Sequence, residues 1–265
     1  MKKQKTKPAI KTAAAVVIAS LILAFIAASV WHNLKKLDYF KIKEVISSEN
    51  NTIDLSYLKG ENIFSLDLDK QAYYLSQLYP IYRKIRLIRI LPGRIYVDFI
   101  RRKPLARLKL YKYFYVDADS VLFDVSAQTQ TEDFPVILGL ETRIFGPKPG
   151  KKFDVKELNT ALGIIKEIQN NRYLRPCRIK KIDMTHPVNI SVFLELSSKG
   201  AYPAAGAVSG GEVEVIMGQS DIRDKINILG AFIIQLKKDW FNIKYIDLRF
   251  KEPVVKFKDK KDVKK

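Results

Sequence analysis

The residues best suited to chemistry in this chain are few. Asp117 and Asp119 stand two apart, and a pair of carboxylates is the equipment of a glycosidase-like hydrolysis, one acid and one base or nucleophile. The same pair lies inside Asp117-Ala-Asp-Ser120, between two runs of strand-forming residues, where aspartate favours a turn by bonding to nearby backbone N–H groups. Cys177 is the one cysteine, and His32 and His186 are the two histidines. An internal disulfide is therefore impossible, and a Cys/His zinc site has too few ligands. Cys177 reads as a small buried hydrophobe, because a nucleophilic thiol needs a base and only His186 is on offer. The chain lacks a phosphate-binding G-x-x-x-x-G-K-[ST], a G-x-S-x-G elbow and an H-E-x-x-H pair. No cofactor is implied, and a tethered hydrolase stays open only through carboxylates.

Charge is the second signal. The 265 residues carry 47 Lys and Arg against 28 Asp and Glu, a formal charge of +19. Three stretches hold the whole excess: residues 1–11, residues 81–112, where Asp98 is the one acid, and residues 251–265. The density over 81–112 would suit nucleic-acid phosphates. Position argues otherwise, because a membrane segment precedes it.

From Thr12 to Trp31 the chain runs twenty residues without a charge, and a helix of that length spans about 30 Å, the thickness of a bilayer's hydrocarbon core. Five lysines precede this span and Lys35 and Lys36 follow it, so the positive-inside rule puts the N-terminus in the cytoplasm and the rest outside. A cleaved signal peptide is the competing reading, through the small-residue run Ala27-Ala28-Ser29. With the chain outside, the basic residues Arg83, Lys84, Arg86 and Arg89 would meet anionic lipid or acidic protein segments, or form a solvated face, and nucleic acid is not expected.

The elements that position these residues fall into an α+β pattern. Residues 40–46 read as a strand broken at Asn50-Asn51. A short helix is followed by a second one after Ser65, with Ala72, Leu75, Leu78 and Tyr79 at helical spacing and Pro80 at its end. Two strands, 85–90 and 94–101, turn at Leu91-Pro92-Gly93. After Pro104 come strands at 106–110, 113–116 and 121–124, then a helix from Asp154 with Glu157 at capping-box spacing. Strands at 179–184, 188–196 and 211–217 follow, the last two joined by the Gly/Ala/Ser-rich loop 197–210. A helix over 221–240 has Ile222, Ile226, Leu229, Ile233, Leu236 and Trp240 on one stripe. Strands at 243–250 and 253–257 close the folded part, before a charged tail over 258–265.

Several local patterns, in order, resemble the FtsQ/DivIB family of bacterial cell-division proteins over nearly the whole chain. They are Asn62-Ile-Phe-Ser-Leu66, Arg102-Lys-Pro104, Tyr115-Val-Asp117, Phe134-Pro-Val-Ile-Leu-Gly139 and Ile246-Asp-Leu-Arg-Phe250, behind a basic tail and one apolar helix. The chain has Arg101 where the family often has a glutamate before Arg-x-Pro, and Ser120 near the family's hairpin glycine. The resemblance implies a tail over 1–11, a membrane helix over 12–31, a POTRA domain (β-α-α-β-β) over 38–104, and a β domain over 105–257 with two helices on an extended sheet.

The resemblance also implies a non-enzymatic inner-membrane protein, concentrated at the division septum. It would hold the bitopic proteins FtsB and FtsL, join other divisome proteins, and link them to septal peptidoglycan synthesis. A POTRA component of secretion or outer-membrane assembly is the other alternative, though one module and no repeat is found. Pro253 suits the start of an edge strand, and the family's partner strand docks after the D-L-R-aromatic motif. By position this names Val254, Val255, Lys256 and Phe257, flanked by Phe250, with Arg249 expected to pair with an acidic partner residue. Lys256 and Lys258 are equally a defence of that edge against unwanted pairing.

Overall fold

The computed structural model describes residues 7–34, 37–49, 53–124, 133–186, 188–196, 211–236 and 239–258. The breaking pair Asn50-Asn51, the loop 197–210, most of the tail over 258–265 and residues 1–6 lie outside them. Two compact units divide between Arg101 and Arg102, three residues before the boundary expected at Pro104. The two arginines at the division face different units. The Arg101 guanidinium pairs with Glu49 at 2.7 Å in the first unit, and that of Arg102 with Asp117 at 2.6 Å in the second.

The first unit begins with α1, Lys7–Leu34. Pro8 fits its first turn, where a missing N–H costs nothing, and neither Gly nor Pro interrupts it afterwards. The helix therefore continues past the charge-free residues 12–31 at both ends. Ala15–Leu34 is the part long and apolar enough to cross a membrane, and it buries no face against protein. A 3-10 turn at Asp38–Phe40 follows where a strand was expected, so β1 is only Glu44–Ser47. The short first helix is likewise a single 3-10 turn, Ser56–Leu58, ended by Gly60 at φ +89°. Next come α2 (Leu68–Leu78), β2 (Tyr82–Ile90) and β3 (Arg94–Arg101). Asp67 caps α2 by accepting from the Lys70 N–H at 3.0 Å. The sheet order is β1-β3-β2, with β1 parallel and β2 antiparallel to β3. Ile85, Leu87, Ile95, Val97 and Phe99 alternate onto the face that buries Leu58, Ile63 and Leu75.

Among the described residues, the second unit is one mixed nine-stranded sheet with two helices. Its elements are β4 (Pro104–Lys109), β5 (Tyr113–Asp117), β6 (Leu122–Phe123), β7 (Val136–Leu138), α3 (Lys156–Asn170), β8 (Cys177–Asp183), β9 (Ile190–Leu196), β10 (Glu212–Met217), α4 (Ile222–Leu236), β11 (Ile243–Asp247) and β12 (Val254–Phe257). The strands lie in the order β12-β11-β10-β9-β8-β7-β4-β5-β6. Leu158, Leu162, Ile165 and Ile168 of α3, and Ile226, Leu229 and Ile233 of α4, share one core with the sheet, and Trp240 is fully buried in it. Trp240 itself sits in a 3-10 turn, Trp240–Asn242, so the helix stripe reaches it but the helix does not. The capping box expected at Asp154 and Glu157 is absent: α3 starts after Val155, without a side-chain cap, and the Asp154 carboxylate accepts from the Asn159 amide at 2.6 Å instead.

Candidate partner-binding edge

Among the described residues β12 ends the nine-stranded sheet and pairs with β11 alone, with Asp247 opposite Val254, Ile246 opposite Val255 and Tyr245 opposite Lys256. The bulge in this pair lies on β11, so β12 keeps a regular alternation. Because the Lys258 N–H donates inward to the Asn242 carbonyl at 2.7 Å, the backbone groups of Lys256 and Val254 also face β11. Those of Val255 and Phe257 point away from β11, on the side where the described residues provide no further strand. An extended segment of another chain could bond there as a tenth strand. The Val255 side chain packs against the core, while Val254 and Phe257 are about half exposed and Phe250 more so. Of the two lysines read as guards, Lys258 is partly buried and its ammonium donates to the Phe241 carbonyl at 2.9 Å, which leaves Lys256 as the exposed one.

The motif Asp247-Leu-Arg-Phe250 anchors the turn into β12. Leu248 is buried and its N–H donates to the Ile216 carbonyl at 2.7 Å. The buried Asp247 carboxylate accepts from the Arg249 N–H at 3.0 Å and from the Arg249 guanidinium at 2.6 Å. These bonds from Arg249 hold the Asp247 carboxyl below the usual carboxylate range. The guanidinium also donates to Asn189 at 3.1 Å and lies 5.7 Å from the Phe250 ring. Arg249 thus holds the turn inside its own domain, with its side chain still partly exposed.

The four basic residues of β2 do not form one patch. All are exposed, but alternation sends Lys84 and Arg86 to one face of the sheet and Arg89 to the other, and a bulge sits between Tyr82 and Lys84 beside Arg83. Arg86 pairs with Asp98 across the sheet at 2.6 Å. Arg89 donates to the carbonyls of Ile63 and Leu66, each at 2.7 Å, and so fixes the 63–66 segment.

Asp117 is the turn residue that its neighbours suggested: its Oδ1 accepts from the N–H groups of Asp119 and Val121 at 2.9 and 3.0 Å. Its Oδ2 takes the Arg102 guanidinium at 2.6 Å in a buried ion pair. Sequence reasoning missed that pair, although both partners stand in quoted motifs. Three bonds, one of them to a guanidinium, thus tie this carboxylate into the hairpin. Ser120 adopts φ +64°, the conformation a hairpin glycine would supply, and its hydroxyl donates to Asn159 at 2.5 Å. Burial pushes the Cys177 thiol up to about 12, which fits a packing role. Among the described residues no group of three or more His, Cys, Asp or Glu is placed to hold a metal ion.

No family model matches the chain. It is 24% identical over 217 residues to the cell division protein FtsQ of Syntrophotalea carbinolica, a match covering 79% of this chain and 71% of that one. A second relative of the same name, from Geotalea daltonii, is 24% identical over 255 residues, 92% of this chain and 86% of its own. These matches support a likeness to the FtsQ/DivIB family over most of the chain. A third FtsQ, from Koribacter versatilis, is 24% identical over 199 residues, 74% of this chain and 52% of that protein. Among the described residues one helix, at the N-terminus, is long and apolar enough to cross a membrane, which fits a single-pass membrane protein.

Proposed function

We propose that this protein acts in bacterial cell division as a membrane-anchored, non-enzymatic scaffold. It holds bitopic partners of the FtsB and FtsL kind, with other divisome proteins, and couples them to septal peptidoglycan synthesis. In this reading α1 is the inner-membrane anchor with its N-terminus in the cytoplasm. Residues 38–104 serve as a POTRA domain, residues 105–257 as the partner-binding β domain, and the molecule gathers at the septum. The observation that carries the reading is the place of β12 at the end of the sheet formed by the described residues, with the Val255 and Phe257 backbone groups directed away from β11. Main-chain bonds would supply affinity, and the side chains of Val254, Lys256 and Phe257 specificity.

Orientation has its own check. A reporter active only in the cytoplasm, fused after Lys265, stays silent, and one active only outside works; cytoplasmic activity would overturn the topology. The function is tested by purifying the full chain from its native membrane and identifying what comes with it by mass spectrometry. FtsB-like and FtsL-like proteins are expected. Their absence from an intact, folded preparation would contradict the scaffold reading.

A further inference from the structure

The outer end of the membrane helix is built into the first unit. Ala15–Leu34 is about 30 Å long at roughly 1.5 Å per residue, enough to cross the hydrocarbon, which puts Trp31 to Leu34 near its outer boundary. The Asn62 side-chain amide donates to the Leu34 carbonyl at 3.1 Å and to that of Leu37 at 3.4 Å. The rings of Trp31 and Phe64 are 5.6 Å apart, those of Phe64 and Phe40 5.0 Å, and those of Phe40 and Tyr39 5.1 Å. Asn62 also forms a strand bridge with Lys41. The Lys41 carbonyl in turn approaches Gly93 so closely that a Cβ there would stand 2.4 Å from it. Segments 37–43, 61–66 and 91–94 are therefore gathered at the level where α1 leaves the bilayer.

What this rim exposes differs from an ordinary solvated surface. Trp31, Leu37, Tyr39 and Leu91 are each about half exposed or more, next to the exposed cations of Lys43 and Arg94, while Lys41 is paired with Asp38 at 2.8 Å. Aromatic rings and short apolar side chains flanked by Lys and Arg are the composition of a bilayer's interfacial layer. We propose that this rim is seated in the phospholipid head-group layer, with Leu37, Tyr39 and Leu91 at the acyl boundary and Lys43 and Arg94 among the lipid phosphates. The occupant follows from continuity: the rim is bonded to the helix that the bilayer already holds. Arg83 and Lys84, at the other end of β2 and about 20 Å along the strand from Ile90, contribute nothing to this seat, because that distance exceeds the Debye length of about 8 Å. The inference rests on the membrane anchor and is independent of the β12 edge.

The test uses the full chain in nanodiscs of phosphatidylglycerol and phosphatidylethanolamine. Nitroxides are placed at Tyr39→Cys, Leu91→Cys or Lys84→Cys in a Cys177→Ser background. Labels at 39 and 91 are expected to collide several-fold less with an aqueous nickel chelate, and more with oxygen, than the label at 84. Equal chelate access at all three positions would overturn the proposal. All three substituted side chains are exposed, so folding is retained, and circular dichroism matching the parent verifies it.

Discussion

If β12 accepts a partner strand, the N–H of Phe257 has a function that its side chain does not share, and the two can be separated. Phe257→Ala removes the half-exposed ring and keeps the donor. Phe257→Pro removes both and leaves the inward bond from the Lys258 N–H to Asn242 untouched. A net hydrogen bond is worth about 0.5–1.5 kcal/mol, so the proline variant should bind about two- to tenfold more weakly than the alanine variant. The Cδ that replaces the hydrogen also meets the incoming carbonyl, which moves the expectation to the upper part of that range. Proline's effect on Lys256 is mild, since it restricts the preceding residue to the extended conformation already present in the strand. The assay is titration of the full chain in nanodiscs with the extracytoplasmic segment of the FtsB-like protein from the same organism. Trp240 emission, in a Trp31→Phe background, follows unfolding of the second unit. Both variants should melt together, because no ladder bond distinguishes them. Equal affinities with equal melting would refute strand addition at this edge.

Three further outcomes follow from the geometry. Gly139→Ala places a side chain at φ +83° with its Cβ 2.3 Å from the Thr185 nitrogen, and should cost about 3 kcal/mol or more in denaturant unfolding. Arg102→Ala strands the buried Asp117 carboxylate and should cost about 3–5 kcal/mol, whereas Arg86→Ala, whose pair with Asp98 is half exposed, should stay within about 0.5 kcal/mol. Asp247 has a depressed carboxyl pKa, so its contribution to stability is complete above the ordinary value of 3.8 and is lost as pH falls through the lower folded value. Asp247→Asn should therefore be less stable at neutral pH and show a flatter acid limb below about pH 4, read by the same emission, and a limb as steep as the parent's would contradict the assignment.

The strands were legible where one face is buried, because Ile95, Val97 and Phe99 repeat every second residue and no other element tolerates that period. The α4 stripe was equally clear, since its apolar residues recur at three and four. Pro253 marked the start of an edge strand through its missing donor alone. What escaped depends on partners that spacing does not report. Arg102 and Asp117 are fifteen residues apart and meet only once β4 and β5 pair. Asp154 and Glu157 have the spacing of a cap, yet Asn159 competes for the Asp154 carboxylate and the helix begins later. The sequence shows Asp247 and Arg249 side by side in one motif but not that the aspartate is buried and takes the guanidinium. Composition reports the basic run of β2 as one density of charge and not the alternation that distributes it over two faces. The sheet order, with β7 inserted between β4 and β8, rests on long-range pairing that local patterns do not encode.

The central claim, that the edge of β12 holds a bitopic division protein, is tested most directly by site-specific photocrosslinking in living cells. A photoreactive residue at Val254 or Lys256, both exposed on β12, is compared with one at Tyr73, exposed on α2. The account predicts adducts to an FtsB-like protein from the two β12 positions and none from Tyr73. Adducts to that protein from Tyr73 with none from β12 would contradict it.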